Sequence, residues 1–312
     1  MPPVDAASLE AWPRVTVVVP TRDRPELLRR AVASVLNQDY PGAIECVVVF
    51  DQSEPAPSWA ERSALRSLET VGNVRSPGLA GARNTGILAA QGDLVAFCDD
   101  DDEWVPEKLR TQVALLRRRT DAVAATCGIT IRYEDRSIRR IPPEEVGLPM
   151  LVRSRVAAIH SSTLLLRRED LLGRIGLVDE DLPGGYGEDY DLLLRAARQG
   201  GIVGAPDALV TVRWHRDSWF AQRWETTAAA ITHLLRKHPE LRQDRAGVAR
   251  MYGRLSFALA AAGSGRLART WARRALASNW RERRAYVAIA VSLGLFRPAS
   301  LIRMANAVGR GI

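Results

Sequence analysis

The stretch Leu94-Val95-Ala96-Phe97-Cys98-Asp99-Asp100-Asp101-Asp102-Glu103-Trp104 runs from an apolar segment straight into four consecutive aspartates. A short apolar run bounded by polar residues reads as a buried strand. Adjacent carboxylates repel one another, which raises their pKa values unless a cation neutralises them. Oxygen-only ligands suit a hard divalent ion, Mg²⁺ or Mn²⁺. The other reading is a solvated acidic loop capping a helix that opens at Pro106. Parallel sheets bind ligands beyond the C-terminal edge of their strands, where this run is expected to lie.

Working outward, the pattern alternates strands and helices. Val15-Thr16-Val17-Val18-Val19 is a β-branched run stopped by Pro20, a buried strand. Pro25 opens a helix whose apolar face carries Leu28, Ala31, Val32, Val35 and Leu36. Ile44 to Phe50 is a second strand ending at Asp51, and Ser58 to Leu68 has a helical look. Gly81 to Ala90 and Pro106 to Arg119 predict helices. Ala122 to Thr126, Ile129 to Tyr133 and Ser162 to Leu166 predict short strands, with a loop over 139–149 and a helix from Arg168 to Ile175. Tyr190 to Gln199 reads as a helix and Leu209 to Trp214 as a last strand. This order predicts an α/β class with a mostly parallel central sheet and helices on both faces. From about Trp219 the pattern is helical throughout, with a hairpin around Gly263-Ser264-Gly265.

Charge divides the chain in the same place. Residues 1–212 carry 25 basic and 31 acidic side chains, residues 213–312 carry 19 and 5. The expected organisation is therefore a domain over 1–215, with halves at about 13–120 and 121–215, and a basic α-helical extension over 216–312. The basic part suits an anionic membrane surface, a nucleic acid or an acidic partner, or is a solvated helical cap. Its arginines lack an aromatic stacking pattern, so no nucleic acid is expected as partner. No apolar run approaches the ~20 residues of a membrane-spanning helix. The N-terminus does not read as a secretory signal. Cys46, Cys98 and Cys127 offer neither a disulfide framework nor a C-x-x-C site, which fits the cytoplasm, with peripheral contact at the inner face of its membrane as the alternative address.

The polar punctuation supplies the remaining candidates. Pro20, Thr21 and Arg22 share the ligand edge with Asp51, a nucleobase or ribose acceptor or else an ordinary turn aspartate. The first strand-to-helix turn has no glycine, so a G-x-G-x-x-G dinucleotide cradle is excluded, and no G-x-x-x-x-G-K-[ST] exists. A nucleotide must then be held by metal and side chains. Arg83, in Gly78-Leu79-Ala80-Gly81-Ala82-Arg83-Asn84, either contacts a diphosphate or is a surface helix arginine. Glu188, Asp189 and Asp191 form a second acidic cluster, a general base or a helix cap. His160 and His215 are structural hydrogen-bonders or, for His215, part of a metal shell.

Taken together these residues resemble family 2 glycosyltransferases of the GT-A fold, over about Val15 to His215. Val17 to Pro25 is similar to that family's opening strand and Ser34 to Pro41 to the end of its first helix. Gly81-Ala82-Arg83-Asn84-Thr85-Gly86 looks like its A-R-N-x-G helix. Asp99 to Asp102 with Trp104, Pro106, Lys108 and Leu109 resembles its D-x-D-D-x-W-x-P-x-K-L segment. Gly187-Glu188-Asp189 is similar to its acceptor-side E-D. The resemblance implies a nucleotide-diphospho-sugar transferase that works with inversion, with UDP- or dTDP-sugars favoured as donor. It implies donor contacts at Pro20, Thr21, Arg22, Asp51, Arg83, Asp99, Asp100 and Asp101, and a Mn²⁺ or Mg²⁺ ion at Asp101, Asp99 and His215. Asp189 is implied as the catalytic base, with His160, Glu188 and Asp191 on the acceptor side. The acceptor hydroxyl belongs to a glycan, a lipid-linked molecule or a small molecule. After Asp51 the family usually carries another Asp and a Gly-Ser, whereas Gln52-Ser53-Glu54-Pro55 stands here. The rival expectations are a non-catalytic nucleotide-sugar or anionic-polymer binder, and an aspartate-nucleophile phosphatase.

Overall fold

The computed structural model describes residues 12–59, 63–133, 136–213 and 223–301. They divide into two compact units: Met1–Leu148, Val156–Glu180 and Asp189–His215 in the first, Pro149–Arg155, Asp181–Glu188 and Arg216–Ile312 in the second. The sequence reading assigned 149–155 and 181–188 to the first part, whereas here they group with the helical end of the chain.

The first unit is one mixed sheet with helices on both faces. Its strands are β1 (Val15–Thr21), β2 (Ile44–Phe50), β3 (Arg66–Gly72), β4 (Leu94–Phe97), β5 (Glu103–Trp104), β6 (Ala122–Tyr133), β7 (Arg136–Arg140), β8 (Glu145–Val146), β9 (Leu165–Arg167) and β10 (Gly201–Arg213). Their order is β3-β2-β1-β4-β9-β6-β10-β5, with β7 on β6 and β8 on β10. β1 pairs in parallel with β2 and β4, and β2 with β3. Beyond them β9 runs antiparallel to both β4 and β6.

The period-2 alternation of strands explains the two covered faces. Val15, Val17 and Val19 join a core with Leu28, Val32 and Val35 of α1 (Pro25–Leu36) and Leu109, Val113 and Leu116 of α3 (Lys108–Arg118). Val18, on the opposite face, meets α2 (Leu79–Ala89), where a Cβ on Gly86 would stand 2.2 Å from Val18 Cγ1. A Cβ on Gly81 would stand 1.9 Å from the Ser76 carbonyl. Both glycines of the Gly81-to-Gly86 segment allow close approach: Gly86 seats α2 against the sheet, and Gly81 admits the loop before the helix.

Three local expectations are corrected. Residues 66–72 form β3 where a helix was expected to reach Leu68, because the free backbone edge of β2 takes them as a parallel partner. The Arg66 guanidinium holds that strand by donating to the carbonyls of Leu36, Gln38, Tyr40 and Gly42. The two short strands expected over 122–133 are one continuous β6. The expected loop over 139–149 instead carries the end of β7, all of β8 and the first residues of α4 (Leu148–Arg153).

Lys108, at the start of α3, is fully buried with Nζ 3.6 Å from the centroid of the Trp104 ring and no hydrogen-bond partner among the described residues. Burial holds its pKa down to about 8, against a nearby rise from Cys127 and Cys98. The unfolded chain, at 10.5, binds this proton more tightly than the folded one. The ammonium therefore weakens the fold most below about pH 8, and the penalty fades as pH rises toward 10.5. Lys108→Met is expected to gain about 1–3 kcal/mol in urea unfolding at neutral pH, with the gain shrinking at about pH 10. A variant no more stable than the parent would show that the cation–π contact already offsets the burial.

The second unit contains α7 (Trp224–Lys237), α8 (Arg245–Ala261), α9 (Gly265–Ser278) and α10 (Arg283–Ser292). Asp244 caps α8 by accepting the Gly247 N–H at 2.7 Å. Small residues let the helices pack: Ala268, Ala272 and Ala275 of α9 meet Ala285, Ala288 and Val291 of α10 and Phe257 and Ala260 of α8. Among the described residues no helix is long and apolar enough to cross a membrane. α5 (Arg168–Leu172) lies in the first unit, as does α6 (Glu188–Gln199) from Asp189 onward.

Candidate active site

β1, β2 and β4 run in parallel, so Thr21, Asp51 and Asp99 emerge at one edge of the sheet. Two residues just past these strand ends, Asp23 (φ 54) and Gln52 (φ 55), take the left-handed conformation that non-glycine residues rarely adopt. Such strain concentrates at functional edges.

Asp51 is buried and accepts hydrogen bonds from the Gly78 N–H (3.0 Å), the Asn73 amide (2.8 Å) and the Gln52 amide (2.9 Å). Burial alone would raise its pKa, but these donors and the nearby Arg22 outweigh it, and the carboxyl is held below its ordinary value. Asp51 thus fastens the glycine turn that starts α2. Further along α2, Asn84 bonds Val178 and Glu180, and Thr85 bonds Asn73.

The four aspartates do four different things. Asp99 Oδ1 accepts from Arg83 at 2.6 Å and Oδ2 from the Ser161 hydroxyl at 3.0 Å. Burial pushes Asp99 up, but Arg83 and His160 reverse that and lower it. Asp100 accepts from the Thr21 hydroxyl at 2.7 Å and lies 3.4 Å from Arg24. Burial nevertheless raises its pKa. Asp101 pairs with Arg24 at 3.0 Å. Burial and then repulsion from Asp102, Asp99 and Asp100 push its pKa up to about 7. Asp102 is 1% exposed, accepts from Ser162 at 2.6 Å and faces His160 Nδ1 at 3.3 Å. His160 Nε2 lies 3.8 Å from Asp99. Burial would lower His160, but Asp102, Asp99 and Asp189 push it up to about 9.

One ligand atom each from Asp99, Asp102 and His160 can be chosen so that all lie within 4.8 Å of one another, a spacing that fits a metal ion. The expected set was Asp101, Asp99 and His215. Asp99 belongs to this group, Asp101 is paired with Arg24, and Asp102 and His160 complete the group. His215 lies outside the described residues. His160 was expected on the acceptor side. It occupies this cluster because it caps the turn Ser161–Thr163, whose hydroxyls reach the acidic run.

Arg83 is 3% exposed, so it is no surface arginine; it neutralises Asp99. Pro20 is buried in β1 opposite Val49, and Arg22 is exposed. Asp189 opens α6 with its carboxylate accepting the Tyr190 N–H at 2.8 Å, and its charge is felt at His160. Asp191, expected on the acceptor side, is 0% exposed and pairs with Arg195 at 2.9 Å. Arg195 in turn holds the carbonyls of Ile175 and Gly176, so Asp191 braces the fold. Glu188, also expected on the acceptor side, is 4% exposed and belongs to the second unit. Sequence reasoning assigned no contact to Arg24, Asp102, Ser161 and Ser162. The hints were Arg24 beside the first strand's end, the fourth aspartate of the run, and the serines after His160.

The family model described as glycosyl transferase family 2 matches residues 16–173. The succinoglycan biosynthesis protein ExoO of Rhizobium meliloti (strain 1021) is 30% identical over 211 residues, 62% of this chain and 58% of that protein. The amylovoran biosynthesis glycosyltransferase AmsB of Erwinia amylovora is 28% identical over 202 residues, 59% of this chain and 64% of its own. The chain thus spans less than two-thirds of either relative. Among solved structures, S. aureus TarS 1-349 in complex with UDP-GlcNAc has a TM-score of 0.59 at 16% identity, covering 90% of this chain and 91% of that one. The mannosyltransferase PcManGT from Pyrobaculum calidifontis, in complex with GDP-Man and Mn2+, has a TM-score of 0.55 at 20% identity, covering 94% and 84%. Sheet order, acidic strand end and family match agree: the chain belongs to glycosyl transferase family 2 and has the GT-A type of fold.

Proposed function

We propose that this chain transfers a sugar from a nucleotide-diphosphate donor, UDP- or dTDP-linked, to an acceptor hydroxyl with inversion at the anomeric carbon. The observation that carries this reading is the convergence of Asp99, Asp102 and His160 at the ends of parallel strands. Two carboxylates and an imidazole make a donor set for a divalent ion, the imidazole favouring Mn²⁺ over Mg²⁺. Bound there, the ion supplies positive charge against the departing diphosphate. Solved neighbours in complex with UDP-GlcNAc, and with GDP-Man and Mn2+, support a nucleotide-sugar donor and a divalent ion.

The chain's own residues do the rest. Asp51 braces the Gly78 turn beside the nucleoside end of the site. Thr21 and Arg24 hold Asp100 and Asp101 in place. Arg83 and Ser161 orient Asp99 by taking one oxygen each. Asp189 removes the proton of the acceptor hydroxyl as that oxygen attacks the anomeric carbon, while the C–O bond to the diphosphate breaks. The leaving diphosphate needs no proton, so one protein base suffices. The acceptor hydroxyl belongs to a glycan, a lipid-linked molecule or a small molecule, and the relatives named for succinoglycan and amylovoran biosynthesis favour a glycan product. The three unpaired cysteines suit a reducing cytoplasm.

Calorimetric titration with UDP, GDP and dTDP, each with and without Mn²⁺, tests the reading. One nucleotide is expected to bind about tenfold or more tightly with the ion than without it. Excess EDTA is expected to abolish turnover of the matching sugar nucleotide. Binding to none of the three by folded protein would overturn the donor site. Binding without transfer or hydrolysis would move the chain to the non-catalytic class.

A further inference from the structure

The second unit carries a surface of exposed apolar and basic side chains. Helix α9 buries its alanine stripe, Ala268, Ala272 and Ala275. Its other side exposes Arg266, Leu267, Thr270, Arg273 and Arg274. On α10 and the turn after it, Tyr286, Leu293, Leu295 and Phe296 are exposed at 51%, 60%, 66% and 55%. Tyr286 and Leu293 are seven positions apart, so they share one helix face. Arg269 Nη1 lies 3.4 Å from the Ser292 hydroxyl, which sets the start of α9 beside the end of α10. Leu267, at 55% exposure, therefore stands at the same end of the hairpin as Leu293. Trp280 in the connecting turn is 67% exposed and accepts the Tyr286 hydroxyl on its carbonyl at 2.8 Å.

The charge on the hairpin is almost all of one sign. Residues 265–301 hold eight arginines and a single acid, Glu282. That acid is engaged, receiving the Arg284 N–H at 3.2 Å at the start of α10. Exposed aliphatic and aromatic side chains on an arginine-rich hairpin match an anionic bilayer surface: phosphates meet guanidinium groups and the acyl boundary takes leucine, phenylalanine and tryptophan. A nucleic acid would satisfy the arginines but leave Leu267, Leu293 and Leu295 with nothing to bury against. A polyanion in solution would do the same.

We propose that the α9–α10 hairpin docks on an anionic lipid surface, inserting Leu293, Leu295 and Phe296 while the surrounding arginines hold the headgroups. This docking is independent of the donor site, and its test requires no turnover.

The full chain is mixed with vesicles of phosphatidylcholine alone, or with phosphatidylglycerol added, and sedimented. Retention is expected on the anionic vesicles only, and to weaken as salt is raised. Leu295→Ser with Phe296→Ser is expected to lower retention about tenfold while nucleotide titrations and the circular dichroism spectrum stay unchanged. Arg273→Gln with Arg274→Gln is expected to reduce retention by a similar factor at low salt and by less at high salt. No retention on anionic vesicles overturns the proposal. So does equal retention on neutral vesicles, or a concentration-dependent dimer that the Leu295 and Phe296 changes dissolve.

Discussion

Asp189→Asn is expected to lower kcat by about a thousandfold while leaving metal-dependent nucleotide binding within a few-fold of the parent. An amide keeps the size of the side chain, and its oxygen still accepts the Tyr190 N–H, so the start of α6 is retained. What is removed is the basicity, together with a negative charge that is felt at His160. Without that basicity the acceptor oxygen attacks as a neutral hydroxyl and its proton has no protein group to go to. The measurement is initial-rate kinetics beside calorimetry on the same preparation. A loss confined to kcat locates the fault in the chemical step. Unimpaired turnover removes Asp189 from the role and directs attention to other carboxylates near His160.

Asp99→Asn is expected to act on stability and on metal together. Asp99 is the partner of Arg83, and Arg83 is 3% exposed. Removing the negative charge leaves a buried guanidinium facing a neutral amide, a loss of about 2–4 kcal/mol in urea unfolding. The second oxygen accepts from Ser161 and faces His160, so the proposed metal site loses one of its two carboxylates. Mn²⁺-dependent nucleotide binding is expected to weaken about a hundredfold. Adding Arg83→Met to the Asp99 variant should recover part of the stability but none of the metal dependence, since the two changes act on one ion pair. Parent-like stability and Mn²⁺ response in Asp99→Asn would show that neither the pair nor the ion depends on this oxygen.

The two residues also show how far a sequence can be read toward a site. Asp99 was legible because four carboxylates after an apolar run are rare and chemically costly. Repulsion among them was expected; Asp100 and Asp101 do have raised pKa values, but burial is the larger cause in both and repulsion adds to it. Asp99 departs from that expectation only because Arg83 and His160 stand beside it. Asp102 was lost within the run, since adjacency in sequence does not say which way each side chain turns. The turn after β4 sends Asp101 to Arg24 and Asp102 to Ser162 and His160. Asp191 shows the opposite case. Its position two residues after Asp189 made it a candidate, yet helix geometry aligns it with Arg195 four positions on, in the interior.

By itself the sequence determined what depends on near neighbours along the chain. Apolar periodicity set β1, α1, β2, β4, α3 and α6, and proline and glycine placed their ends. The composition break near residue 215 separated a basic helical region. Tertiary structure alone decided what depends on distant partners. β3 is a strand because the edge of β2 takes it as a partner, and the helical look of 66–68 yielded to that pairing. The metal-type cluster joins residues about sixty positions apart, because β9, running antiparallel between β4 and β6, returns the 160–163 turn to the strand ends. Local propensity is a matter of a few tenths of a kcal/mol per residue. A buried carboxylate without its partner costs several, so the long-range contacts settle the site.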